Sequence, residues 1–208
     1  MTSPRAWRRP AAAAATTGIS LRESGSTRRP EKLGRQTVLA AALFAFVGVA
    51  FLLHWVLADP GFEASDTQDD WRYVLGFSAA LLSLAVALPM FAQFVGRRGV
   101  LEVSLVAAAG AALSSAANIV EDGLHMGWAF FVFVLGTGAL GLGLVALTAL
   151  IATAAHGTGR LTALVPAGTL AAILFYVHAG GPVMFATWLA AAALVVATTG
   201  RPRETLRG

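Results

Sequence analysis

The chain has no cysteine and little charge: charged residues make up only 12% of its 208 residues. Without cysteine there is no disulfide, no thiolate nucleophile and no cysteine-ligated metal. A soluble domain carries about 25% charged residues, and here the deficit is concentrated in several long apolar runs. The connections between these runs are too short to hold a soluble catalytic domain. These absences indicate a membrane protein.

Six apolar runs are present, and each is near the length that crosses a bilayer. A helix needs about 20 mainly apolar residues to cross a hydrocarbon core of about 30 Å. In hydrocarbon every backbone N–H needs a partner within the segment, which favours helices, and the residue-by-residue alternation of barrel strands is absent. We therefore predict an all-α, polytopic membrane helical bundle with six transmembrane helices, at residues 36–58, 73–95, 100–120, 127–155, 161–179 and 183–199.

The two ends of the chain differ from this core. Residues 1–35 hold eight basic residues against two acidic ones, together with many small and polar residues, and are predicted to be a disordered basic cytoplasmic tail. Residues 200–208 are predicted to be a second, short basic tail. The expected partner of the long tail is anionic lipid rather than nucleic acid, because a polybasic segment beside a membrane gains about 1 kcal/mol per charge.

The distribution of Lys and Arg predicts the orientation. With six spans, both tails, the loop containing Arg97 and the loop containing Arg160 lie on one side, which then carries 14 of the 15 basic residues. The other side carries only Arg72. Since basic residues stay in the cytoplasm, we predict a multi-pass protein of the cell (plasma) membrane with both termini cytoplasmic. The Ala, Gly and Arg bias is typical of a bacterial, GC-rich genome.

The stretch between the third and fourth runs is unusually polar for this chain. Glu121, Asp122 and His125 follow Asn118 at the predicted outer surface. One interpretation is a solvated turn, where charges cost little. The other is an acid–base site formed by Glu121, Asp122 and His125, with Asn118 either packing the third helix or orienting a neighbouring acid.

Other polar and aromatic residues are predicted to lie at the same depth. His54 and His178 come from the first and fifth runs, and intramembrane ionisable groups are often functional. Trp and Tyr side chains on this side form either an interfacial belt or the lining of an outward-opening pocket. The predicted binding residues are therefore Asn118, His54, His178, Trp55, Trp128 and Tyr176, and Trp71, Tyr73 and Trp188 map to the same half. No metal-ligand spacing is present, so no metal and no cofactor is predicted.

The third run also carries a stripe of small and polar residues. Its members are spaced by four and three residues, which places them on one helix face: Ser104, Ala108, Ala111, Ser115, Asn118 and Asp122. In the fourth run, Thr137 pairs with Gly141 and Ala139 with Gly143 at spacings of four. Such faces favour close helix packing, within the bundle, against a partner helix or in a homo-oligomer. The alternative is a polar track leading down from the outer surface.

Two functions fit these observations. The first is a non-enzymatic membrane protein, either a small transporter or an accessory or scaffold subunit. The second is a membrane-embedded enzyme that acts on a lipid or isoprenoid-like substrate by acid–base chemistry at the outer leaflet. A haem or metal site using His54 and His178 is a weaker third interpretation, because two unspaced histidines are poor evidence for ligation. The sequence names no substrate.

Overall fold

The computed structural model describes residues 29–57, 71–154 and 157–199, and every secondary-structure element among them is helical. The six α-helices are α1 Arg29–Leu57, α2 Trp71–Val95, α3 Arg98–Asn118, α4 Ala129–Ala154, α5 Leu164–Leu174 and α6 Gly181–Thr199. A first π segment, Ile119–Gly123, continues α3, a 3₁₀ segment, Gly157–Ala163, precedes α5, and a second π segment, Tyr176–Gly180, precedes α6. The predicted all-α bundle is confirmed.

Five of the helical stretches are long and apolar enough to cross a membrane. They comprise 23 to 26 residues each, at Gly34–Leu57, Trp71–Val95, Gly99–Gly123, Ala129–Ala154 and Tyr176–Thr198. The apolar helix Gly159–Leu174 is shorter. The predicted fifth run, 161–179, is therefore divided between two elements. The chain leaves the α-helical conformation at Phe175 (φ −109°, ψ 27°), and the residues after it continue into α6.

The boundaries of the tails and loops differ in part from expectation. α1 begins at Arg29 rather than at residue 36, so the first helix starts inside the segment predicted to be a tail. The rest of that tail, the acidic loop 58–70, His156 and the C-terminal residues 200–208 lie outside the described residues. Pro166 and Pro182 lie near the starts of α5 and α6, and each of these helices directly follows a 3₁₀ or π segment.

The helices pack in the order of the chain. Each one contacts the next, and α6 also packs along α1, which closes the bundle. Ser115 of α3 bonds to Ser78 of α2, and Asn118, further along α3, bonds to Val74, which lies earlier in α2. These two neighbours are therefore antiparallel. The same up-and-down order places the ends of α1, α3 and α5 beside the starts of α2, α4 and α6. We call this the aromatic end, and the opposite end, with Arg97 and Arg160, the arginine end.

Large side chains fill the interior below the aromatic end. Trp188 packs edge-on against Phe44 and Phe91, with ring centroids 5.3 and 6.4 Å away, and all three are almost completely buried. Leu84, Leu140, Leu144, Leu147 and Met184 extend this core. Trp188 is therefore an interior residue rather than part of an interfacial belt. Counting residues along the sixth run predicted only the depth of Trp188 in the membrane. The structure shows that Trp188 lies on the face of α6 that points into the bundle.

Glycines bring α3 and α4 into backbone contact. A Cβ added at Gly110 would lie 2.5 Å from the Leu140 nitrogen and 2.6 Å from the Gly136 carbonyl oxygen. A Cβ added at Gly143 would lie 2.6 Å from the Ala107 Cβ, whereas Gly141 has nothing within 4 Å. Gly143 therefore packs closely against α3, as predicted. The second glycine of α4 in contact with α3 is Gly136 rather than Gly141. Thr137 contributes differently, by a 3.1 Å hydrogen bond to Ser114.

Candidate functional site at the aromatic end

His54 is a buried histidine near the end of α1. Its side chain is only 5% exposed. The Nδ1 atom shares a hydrogen bond with the hydroxyl group of Tyr176, which begins the second π segment. The pair therefore joins α1 to the turn between α5 and α6. Both residues were predicted to be binding residues, and the structure brings these two into direct contact.

Three aromatic rings surround the imidazole of His54. Tyr73 and Phe77, one turn apart on α2, have ring centroids 4.5 and 5.1 Å from that of His54. The ring of Tyr176 lies nearly parallel to the imidazole at 5.8 Å. Phe51 and Phe133 extend this pocket by contacting Tyr176 and Phe77, respectively. The result is an aromatic pocket that encloses a titratable ring.

The second nitrogen of His54 has no hydrogen-bond partner. The Nε2 atom is sealed from solvent, and no donor or acceptor among the described residues reaches it. The adjacent Cδ2 atom faces Gly76 on α2, where an added Cβ would lie 3.4 Å away. Buried polar atoms are almost always paired, because an unpaired one carries its full desolvation penalty. The Nε1 atom of Trp188, in the core below, is likewise buried without a hydrogen-bond partner among the described residues.

Glu121 and Asp122 lie in the first π segment, where α3 widens before it ends. The N–H of Leu124 donates to the carbonyl oxygen of Ile119, and the N–H of Met126 donates to that of Val120. π-Helical turns are rare and occur often at functional sites. Gly123 lets this segment approach α2, because a Cβ there would lie 2.6 Å from the ring of Trp71. The predicted turn is thus a π-helical continuation of α3 that ends against α2.

His125 follows the π segment in the left-handed region, with φ of 56°. Non-glycine residues adopt this conformation uncommonly, although histidine is among those enriched in it. The side chain is exposed. Glu121, Asp122 and His125 lie within five positions of the chain, at the end of α3 and at a surface that is partly open to solvent. We call these three residues the acidic cluster, and its use as an acid–base site stays a prediction.

Tyr73 lies at the same end of α2 as the acidic cluster. Its ring contacts His54, which in turn shares the hydrogen bond with Tyr176. The first π segment, which carries Asp122, packs against this end of α2. The sequence pointed to Tyr73 only as one of several aromatics. Its spacing of four from Phe77, on the face of α2 towards α1, was the signal that could have identified it.

Asn118 is buried between α2 and α3. Its amide nitrogen donates to the Val74 carbonyl oxygen at 3.2 Å and to the Ser78 hydroxyl at 3.0 Å. Ser78 and Ser115 donate reciprocally to each other's carbonyl oxygens at 3.1 and 2.8 Å. Of the two roles that the sequence left open for Asn118, these contacts correspond to packing. The stripe on α3 is likewise buried from Ser104 to Asn118.

The remaining predicted residues lie at the same end with different exposure. His178 is exposed in the second π segment, and its backbone N–H donates to the carbonyl oxygen of Phe175. Trp128 is largely exposed, whereas Trp55 is half-buried and lies against Gly181, the first residue of α6. In the described part of the chain no three His, Asp or Glu side chains are grouped closely enough to hold a metal ion. His54, His125 and His178 thus share an end of the bundle, and of these three only His54 is part of the buried pocket.

Comparison of the chain with models of known protein families, with curated proteins and with solved structures found no match.

Proposed function

We propose that the protein is a six-span accessory or scaffold subunit of the plasma membrane, with both termini in the cytoplasm. In this arrangement α5 provides the sixth crossing, with the 3₁₀ segment before it and the second π segment after it extending the short helix. The antiparallel packing of α1 against α6 supports an even number of crossings: Gly48 lies against Phe185, and Trp55 lies against Gly181. The partition of basic residues supports the orientation, because 14 of 15 then lie on the cytoplasmic side.

The observation that carries the accessory function is the filled interior. Phe44, Phe91 and Trp188 occupy the space between α1, α2 and α6, and leucines of α2 and α4 extend the same core. A transporter needs a route through the bundle, whereas an accessory subunit needs a rigid body with apolar outer faces. The close backbone contact of α3 with α4 adds to that rigidity. Its partners in this function are the bilayer, anionic lipid beside the basic tail, and a second membrane helix or another copy of the chain.

Reconstitution into lipid vesicles tests this function against transport. Purified protein is inserted into vesicles that contain a pH-sensitive dye, and a potassium gradient with valinomycin drives proton movement. We expect a proton flux equal to that of protein-free vesicles, because the aromatic core blocks the bundle. In native membranes solubilised in mild detergent, we expect the protein to migrate as a complex larger than a single chain. A flux several times above the protein-free rate would contradict the accessory function and favour a transporter.

The second candidate function is an enzyme acting on a lipid or isoprenoid-like substrate at the outer leaflet. The observation in its favour is the cluster of Glu121, Asp122 and His125 on a π segment beside exposed aromatic side chains. One carboxylate would act as general base and its neighbour or His125 as general acid. Lipid extracts of membranes with the wild-type chain are compared with those of an Asp122→Asn, His125→Gln double variant. A lipid product that disappears in the double variant at equal protein level supports the enzyme, and identical profiles eliminate it.

A further inference from the structure

We propose that the arginine end of the bundle binds the phosphate group of an anionic phospholipid, through Arg97 and Arg160 beside the last turn of α4. The inference deepens the lipid partner proposed above, which involved only the N-terminal tail, and it rests on the proposed membrane location. It assigns the recognition of lipid charge to the folded bundle itself.

Arg97 is held in place at the end of α4. It lies between α2 and α3, and its guanidinium group donates to the carbonyl oxygen of Ala154, the last residue of α4. The carbonyl groups at the end of a helix carry partial negative charge, which Arg97 compensates. A guanidinium group has five N–H donors in one plane, and among the described residues that of Arg97 bonds only to Ala154. It therefore has donors for an anionic partner as well.

Arg160 lies at the same end of α4, on a different connection. It belongs to the 3₁₀ segment that precedes α5, and this segment packs against α4. The side chains of Arg97 and Arg160 are both exposed. Two guanidinium groups from separate connections therefore border one helix end, and a planar guanidinium matches the geometry of phosphate oxygens.

Two glycines leave the turn around Arg97 open. Gly96 directly follows α2, with φ of 75°, and Gly99 lies in the first turn of α3. A Cβ added at either glycine would have nothing within 4 Å. The backbone on both sides of Arg97 is therefore accessible to a group that approaches from the membrane surface.

The charge of this end favours an anion. Three arginines and one glutamate have described, exposed side chains here: Arg35, Arg97, Arg160 and Glu102. The described part of the aromatic end has the opposite balance, with Glu121 and Asp122 against Arg72. In the proposed orientation the arginine end meets the cytoplasmic leaflet, where anionic lipids attract basic groups.

Apolar side chains beside Arg160 indicate a lipid rather than a soluble anion. Leu161 and Leu164 follow Arg160 and are exposed, and Leu150 is exposed near the end of α4. A phospholipid places its phosphate at the bilayer surface and its acyl chains against such leucines, whereas free phosphate makes no contact with them. Basic surfaces between transmembrane helices on the cytoplasmic side bind anionic head groups in this way.

Native mass spectrometry of the full-length protein measures the binding. The protein in neutral detergent is mixed with increasing amounts of phosphatidylglycerol or phosphatidylcholine, and the lipid-bound fraction is recorded. We expect preferential binding of phosphatidylglycerol. The Arg97→Gln, Arg160→Gln double variant should bind it at least about tenfold more weakly, because each basic residue near lipid charge contributes about fivefold in affinity, or about 1 kcal/mol. Soluble glycerol 3-phosphate in large excess should not displace the lipid.

The matched control removes the same number of charges from the tail, by Arg5→Gln with Arg8→Gln. Diffuse attraction between a basic protein and an anionic lipid predicts equal losses in the two double variants. A binding surface at the end of α4 predicts the larger loss in the Arg97→Gln, Arg160→Gln protein. Equal losses, equal binding of the two lipids by the wild-type protein, or displacement by glycerol 3-phosphate would overturn the proposal.

A single replacement answers the same question if the Arg97→Gln, Arg160→Gln protein does not fold, since Arg97 also bonds to the end of α4. Arg160→Gln is then compared with Arg8→Gln, and we expect about fivefold weaker binding of phosphatidylglycerol in the first variant only. Equal binding by the two would contradict the proposal. The orientation is tested separately by labelling in cells, so an inverted topology would change the leaflet that the surface meets without changing the binding measured in detergent.

Discussion

Between α3 and α4 the backbones touch, whereas a few residues further along, α3 widens into a π segment that carries two carboxylates. The first region excludes every side chain larger than hydrogen at Gly110. The second holds Glu121 and Asp122 at a partly open surface. The contrast separates a region where close packing determines stability from one where we expect charged side chains to be replaceable at little cost in stability.

The largest effect is expected from Gly110→Leu, which acts on the α3–α4 contact. Because the added Cβ alone overlaps backbone atoms of α4, the two helices have to separate. We expect a loss of about 3 kcal/mol or more, the upper range for overpacking, seen as failure to recover folded protein or a large fall in Tm. Gly138→Leu is the matched control, since Gly138 has nothing within 4 Å. Equal effects of the two variants would show that α3 and α4 do not touch as described.

A smaller effect is expected from Asn118→Ala at the α2–α3 contact. The change removes two interhelical hydrogen bonds, and such bonds in membranes contribute about 0.6 kcal/mol on average and up to about 1.7 kcal/mol. We expect a loss of about 1 to 2 kcal/mol in unfolding from detergent. Thr153→Ala is the control, because the Thr153 hydroxyl is exposed and bonds only within its own helix. If Asn118→Ala leaves the free energy of unfolding unchanged, Asn118 belongs to the site rather than to the packing of α2 against α3.

Tyr176→Phe separates the aromatic pocket from its hydrogen bond. The ring remains and the hydroxyl partner of His54 Nδ1 is lost, so we expect a cost of about 1 kcal/mol. Replacing both residues, by His54→Phe with Tyr176→Phe, should cost less than the sum of the single changes, because no buried nitrogen is then left unpaired. Thermal unfolding of the four proteins in one detergent measures this difference. Strict additivity would mean that the pair does not interact.

The smallest effects are expected in the acidic cluster. Glu121→Gln, Asp122→Asn and His125→Gln should each change stability by less than about 0.5 kcal/mol, because partly solvated charges contribute little. Melting temperatures of the three variants check this expectation. A large loss of stability in any of them would show that the cluster holds the bundle together, which contradicts the contrast between interior and aromatic end.

Much of the fold followed from the sequence because its signals are local. Long uncharged runs predict helices wherever they occur, and the 4–3 spacing from Ser104 to Asn118 predicts the buried face of α3. The division of the fifth run at Phe175 did not follow, since no proline or charged residue marks it. The start of α1 at Arg29 was missed because helix propensity extends beyond the apolar residues that define a span.

The site was predictable only in part, because it depends on which faces meet. The sequence placed His54, Tyr176 and Asp122 at one end, and counting residues along helices was enough for that. The bond between His54 and Tyr176 joins residues 122 positions apart, and single-sequence patterns carry no information on such pairs. Trp188 shows the same limit: its depth was inferred, but its inward direction depends on how α6 packs against α1.

Cysteine labelling in intact cells tests the central claim most directly, that the aromatic end faces outward and the arginine end lies in the cytoplasm. The natural chain has no cysteine, so single replacements have no background. Leu124 and Leu161 are similarly exposed and lie at opposite ends of the bundle. We predict that a membrane-impermeant maleimide labels Leu124→Cys in intact cells and Leu161→Cys only after the cells are permeabilised. Labelling of Leu161→Cys in intact cells, with Leu124→Cys protected, would contradict the orientation and the outward-facing site.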